Sequence, residues 1–142
     1  MKGPTNAGTM TTDTVTALAG KGTINTVYSG TGTDSTSVPS GTVTALNPTV
    51  TVAEAGTYLI VGSWDFHTNP STTQTYAMHI IINGGAINLH MGTYSPSTDS
   101  YPRGTICYVA TLTANSTVQL ALYHQLGSNK TIYCKLHAIK LI

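Results

Sequence analysis

From Gly41 to the end, the chain is cut into short stretches in which every second residue is apolar, and none repeats its apolar residues at the spacing of a helix face. Alternation of that kind belongs to strands. The breaks between stretches are turn-formers: Glu54-Ala55-Gly56, Asn83-Gly84-Gly85, Ala114-Asn115-Ser116 and Gly127-Ser128-Asn129. Thr and Gly are abundant, while Leu, Lys and Glu are scarce, so good helix formers are largely missing. The expected fold is all-β, in one domain of 142 residues.

The stretches can be read one by one. Thr42–Leu46 and Thr49–Val52 are short strands. Thr57–His67 places Tyr58, Ile60, Gly62, Trp64 and Phe66 on one face, with Leu59 and Val61 on the other. A strand apolar on both faces is covered on both sides, one by the core and the other by a subunit interface. Tyr76–Ile82 and Ala86–Met91 form a hairpin, with either Asn83-Gly84 or Gly84-Gly85 as the central pair. Met78, Ile80 and Ile82 then share a face with Ile87, Leu89 and Met91. Gly92–Gly104 is a loop, and Thr105–Leu112, Thr117–Gln125 and Lys130–Ile142 complete the set. About eight to ten short strands in this order suit a two-sheet antiparallel jelly-roll sandwich.

Residues 1–41 differ. They are rich in Thr, Gly and Ser, with strand-like pieces only at Thr14–Leu18 and Thr23–Tyr28. They are read as an extended N-terminal arm and residues 42–142 as the jelly-roll domain. Ordering a polar arm costs about 1–2 kcal/mol per residue in backbone entropy, so the arm is expected to lie on its own assembly or on a neighbouring protein.

Composition narrows the function. The net charge is +1 and only 8% of residues are charged, which argues against nucleic acid or an acidic membrane as partner. Met1-Lys2-Gly3-Pro4 is followed by no apolar run, so neither an export signal nor a membrane span is expected. Cys107 and Cys134 lie in strand patterns and are read as two buried thiols, since they form no CxxC pair.

Catalytic and metal chemistry find little support. The acids Asp13, Asp34, Glu54, Asp65 and Asp99 are not obviously paired by strand geometry, and no hydrolase, zinc-protease or phosphate-loop motif occurs. His79 and His90 face each other if Gly84-Gly85 is the turn, whereas with Asn83-Gly84 His79 faces Asn88. Two imidazoles are too few ligands for zinc, so a surface pair is expected. Asp65 and His67 share a strand face and are read as a structural or interface pair. Tyr94, Asp99, Tyr101 and Arg103 are residue types common at recognition surfaces, and they form the candidate recognition loop. Asn115-Ser116-Thr117 and Asn129-Lys130-Thr131 match a glycosylation pattern that matters only after export. No catalytic residue, metal or cofactor is expected.

Four segments resemble a known family. Val50-Thr51-Val52-Ala53-Glu54-Ala55-Gly56-Thr57-Tyr58-Leu59-Ile60-Val61 resembles the "V-x-x-x-G-x-Y-x-V" opening of C1q/TNF-like jelly rolls. Ile80-Ile81-Ile82-Asn83-Gly84 is similar to their "l-x-x-N-G" hairpin. Leu112-Thr113-Ala114-Asn115-Ser116-Thr117-Val118-Gln119-Leu120 is similar to "L-x-a-G-d-x-V-x-L", with Asn115 in place of the usual Gly. Cys134–Leu141 resembles the closing strand of bacterial and phage members. The resemblance covers roughly Thr42 to Ile142 and includes no collagen-like stalk. It implies a compact homotrimer with one sheet face packed around the three-fold axis, and Leu59, Val61, Val109, Tyr133 and His137 are the residues expected there.

Such a fold serves several roles. The expected one is non-enzymatic: a phage virion structural protein, namely a trimeric capsid decoration (cement) protein whose arm clamps neighbouring capsid subunits. Its partners would be itself and the major capsid protein or another virion protein. Its place would be the virion surface, after assembly in the host cytoplasm. The alternative is the receptor-binding head of a tail fibre or spike that recognises a cell-surface glycan or protein.

Overall fold

The computed structural model describes residues 26–67, 74–94 and 102–142. These residues form nine strands: β1 (Val27–Ser29), β2 (Ser35–Val38), β3 (Thr44–Thr51), β4 (Gly56–Phe66), β5 (Gln74–Ile82), β6 (Gly85–Tyr94), β7 (Arg103–Leu112), β8 (Thr117–His124) and β9 (Lys130–Lys140). Among the described residues there is no helix long and apolar enough to cross a membrane.

The strands make two antiparallel sheets. The first has the order β1-β9-β4-β7, with β2 also paired to β9; the second has the order β3-β8-β5-β6. From β3 onward only β5 and β6 are consecutive in sequence and neighbours in a sheet, since the other connections pass from one sheet to the other. This is the expected two-sheet jelly-roll sandwich.

Alternation decides what lies between the sheets. β4 sends Tyr58, Ile60, Trp64 and Phe66 inward, where they meet Met78 and Ile80 of β5 and Leu120 and Leu122 of β8. β9 adds Ile132, Cys134, Leu136 and Ala138 at every second position. Each of the larger aliphatic and aromatic side chains contributes about 1.5–3 kcal/mol on leaving water. The glycine in the β4 pattern has a packing reason. A Cβ on Gly62 would stand 2.5 Å from Cδ1 of Leu120, which is itself fully buried. The buried Tyr58 hydroxyl is satisfied by donating to the Glu54 carbonyl at 2.8 Å.

Several expectations change. The first strands lie inside the stretch read as an arm: β1 and β2, within residues 26–41, pair with β9 and belong to the first sheet. They are short and mostly polar in sequence, and they are held by backbone pairing with β9 together with a few inward side chains, Tyr28 against Tyr58 and Val38 fully buried in the core. Residues 1–25 lie outside the described residues. The two short strands read at Thr42–Leu46 and Thr49–Val52 are one strand, β3, with a register shift between Ala45 and Thr49, the interval that holds Pro48. Cys134 is buried, but Cys107 is exposed, because its strand turns that position away from the core.

The β5–β6 hairpin turns on Asn83-Gly84, with φ of 49° and 82°, so Ile82 pairs with Gly85. A bulge between Met78 and His79 then shifts the register. Ile80 still pairs with Ile87, but Met78 pairs with His90 and Ala77 with Met91. The shared apolar face expected for Ile87, Leu89 and Met91 therefore does not extend the length of the hairpin.

Candidate interaction face

A residue of β4 that does not point into the core points out of the sandwich, and the same holds for its neighbours β9 and β7. Cross-strand pairing arranges these outward residues in rows. Ile139, Leu59 and Val109 make one row, with Val27 of β1 beside Ile139. His137, Val61 and Cys107 make the next, with Ser29 beside His137. Lys135, Ser63 and Thr105 follow, and Tyr133, Asp65 and Arg103 come last. Successive rows lie two residues apart along the strands, about 7 Å, and neighbouring residues in a row about 5 Å apart.

The face is graded. Its first row is wholly aliphatic, yet Val27 is 52% and Val109 55% exposed, while Leu59, Val61 and Ile139 are half-buried. The core is already closed on the other side of these strands, so this apolar surface has no partner among the described residues. Such a patch commonly marks an interaction site. His137 is set within it by a hydrogen bond between its Nδ1 and Ser29 Oγ, 3.1 Å.

The far end is polar. Lys135 pairs with Asp34 at 3.3 Å, both well exposed, and a pair of that kind is worth under about 1 kcal/mol. Tyr133 and His67 make a T-shaped ring contact with centroids 5.1 Å apart. Asp65 and Arg103 are direct cross-strand partners but form no ion pair with each other. A groove of about 430 Å³ runs over this end, lined among others by Asp34, Ser63, Asp65, Arg103, Tyr133 and Lys135.

The five residues expected at a three-fold axis all lie on this outer face. Leu59, Val61, Val109 and His137 occupy two adjacent rows. Tyr133 stands four residues from His137 along β9, about 13 Å away, at the charged end. Sequence reasoning missed Val27, Cys107 and Ile139 on the same face. For Ile139 and Cys107 the signal was present, since they alternate in phase with His137 and Val109. For Val27 it was not, because its place depends on β1 pairing with β9.

Of the candidate recognition loop, Asp99 and Tyr101 lie outside the described residues. Tyr94 ends β6, where its backbone pairs with Gln74, and Arg103 opens β7 at the charged end. His79 faces Asn88, not His90, so the register brings no histidine pair together. Among the described residues no three His, Cys, Asp or Glu side chains are grouped to hold a metal.

Among the described residues Thr36, Ser116 and His124 are buried polar side chains, and His124 is the one that titrates near neutral pH. His124, at the end of β8, has no exposure and packs edge-on against Phe66, 5.8 Å between rings. Leu126 N–H donates to its Nδ1 at 3.2 Å, so Nδ1 is the acceptor and the ring proton sits on Nε2, which donates to the Val38 carbonyl at 2.9 Å. Burial pushes its pKa down from 6.5, opposed by the Val38 bond and assisted by Lys130. The Cys134 thiol is pushed up to about 12, first by burial and then by Asp34.

No family model and no curated protein matches this chain. Solved structures do match, among them four at 12–19% identity. Eiger TNF from S. frugiperda is 14% identical with a TM-score of 0.52, over 84% of this chain and 94% of that one. Murine APRIL at pH 5.0 is 19% identical with a TM-score of 0.51, over 82% and 99%. The globular domain of zebrafish complement 1qA is 12% identical with a TM-score of 0.51, over 82% and 97%. A chain of the infectious bursal disease virus Gx strain structure is 12% identical with a TM-score of 0.53, over 81% of this chain but 33% of that one. The chain has a TNF/C1q-like jelly-roll fold.

Proposed function

We propose that this chain is a non-enzymatic virion structural protein of a phage, a capsid decoration (cement) protein that works as a homotrimer. The observation that carries the reading is the unpartnered apolar end of the outer sheet face, on a sandwich whose core is already complete. Three copies that pack Leu59, Val61, Val109 and His137 together would remove that surface from water. The likeness in fold to a chain of a virus structure is consistent with a coat role. Attachment to capsid subunits falls to residues 1–25, a Thr- and Gly-rich stretch preceding β1, and the virion surface is where the protein would act.

Removing residues 1–25 while keeping β1 and β2 tests this. The truncated protein should still sediment as a trimer but fail to bind capsids that lack the protein. Full-length protein that sediments only as a monomer would sink the reading.

A second reading, a receptor-binding head for a cell-surface glycan or protein, is favoured by the exposed groove around Asp65, Arg103 and Tyr133. Under it the truncated trimer would still bind host cells, and free sugar would compete.

A further inference from the structure

The charged end of the outer face has a composition unlike the rest of the molecule. The described residues include seven ionised Asp, Glu, Lys and Arg side chains, and four of them, Asp34, Asp65, Arg103 and Lys135, line one groove. Glu54, Lys130 and Lys140 lie elsewhere. The four comprise two acids and two bases, so the groove as a whole is neutral. A neutral groove of alternating sign favours neither a polyanion nor a polycation. It does fit a surface that carries the same alternation, and a second copy of this chain presents one.

Two of the four charges are already matched within the chain, Lys135 by Asp34. The other two are not. Asp65 and Arg103 stand side by side on β4 and β7, both exposed, and among the described residues neither has an ion-pair partner. A carboxylate and a guanidinium fork, which can pair bidentately, are thus held open two rows from Val61 and three from Leu59.

The grading of the face also fixes how copies can meet. A rotation about an axis along the strands keeps each residue at its own height. The aliphatic row of one copy then meets the aliphatic row of the next, and the charged row meets the charged row. An antiparallel meeting would instead set Asp65 and Arg103 against Leu59 and Val109, where burial of an unpaired charge is strongly unfavourable. We infer that copies associate with their strands aligned to the symmetry axis, and that Arg103 of one copy pairs with Asp65 of the next and sets the register. This rests on the self-association proposed above and names the ion pair that directs it.

The test uses full-length chains and sedimentation velocity. Asp65→Arg alone makes every interface Arg against Arg, and Arg103→Asp alone makes every interface Asp against Asp. Each variant should lose trimer by at least about tenfold in dissociation constant, as like charges across an interface do. In an equimolar mixture every mixed trimer has two Arg–Asp interfaces and one like-charge interface, so trimer should return in part, and it should return in full in the double swap Asp65→Arg/Arg103→Asp. Variants that trimerise as well as the wild type would overturn the inference. So would variants that are defective alone and unrescued by mixing, since that places the coupling within one chain. A wild type that never trimerises would overturn the self-association itself.

Discussion

A buried histidine with both ring nitrogens committed is a one-way titration. In folded protein His124 donates from Nε2 and accepts at Nδ1, so adding a proton at Nδ1 sets it against the Leu126 N–H and places a charge in the core. Burial lowers its folded pKa, while the unfolded chain titrates near 6.5. The unfolded state therefore takes up the proton first. The stability is fully present above 6.5 and is lost as pH falls through 6.5 toward the lower folded value. Thermal unfolding midpoints should drop between about pH 7 and pH 5, and His124→Gln should flatten that slope. Equal slopes for the two proteins would show that another group carries the acid sensitivity. Nothing in the pattern of Thr117–Gln125 revealed this residue. It falls in phase with Val118, Leu120 and Leu122, but what keeps it neutral is its complete burial, which outweighs the opposing pull of the Val38 bond.

Hairpins are the elements the chain announces best, and here Asn83 does more than turn one. It holds φ of 49°, where few side chains are comfortable. Its Oδ1 accepts from Thr117 N–H at 2.9 Å, and its Nδ2 donates to Ser116 Oγ at 3.2 Å. The β5–β6 turn is thereby tied to the start of β8, close to Asn115, which also has positive φ, 65°. Asn83→Ala should cost about 1–2 kcal/mol, by losing both bonds and straining the turn. Asn83→Gly should cost less, because it keeps the backbone conformation and loses only the bonds. Urea unfolding midpoints rank the two, and equal midpoints would assign the effect to the bonds alone. The turn was legible from Asn-Gly, but the bulge at Met78/His79 was not. No residue there demands it, and only pairing on both sides of β5 sets its place.

For the whole molecule the question is what covers the aliphatic rows. Val109→Glu puts a charge at the β7 end of the first of them without touching the core, so the monomer should keep its far-UV circular dichroism and lose its association. The two thiols report the same event. Cys134, with its pKa near 12, should stay inert in the folded protein. Cys107, in the row with Val61 and His137, should be slow to react with a thiol reagent in the wild-type assembly and fast in Val109→Glu. Equal Cys107 rates in the two proteins would mean that this row is open in both.

The sequence by itself determined the sandwich, because period-two alternation commits each strand to one inward face, and Gly and Asn mark where strands must turn. It also determined that β4 is apolar on both sides, since that is written in consecutive residues. Only the tertiary structure decided that β1 and β2 belong to the first sheet, because they are short and mostly polar in sequence, and it is pairing with β9 that turns Tyr28, Thr36 and Val38 toward the core. It likewise decided that the outer face is graded from Leu59 to Arg103. A row across a sheet is made of residues far apart in the chain, and only the register of β9, β4 and β7 brings Tyr133, Asp65 and Arg103 to one height.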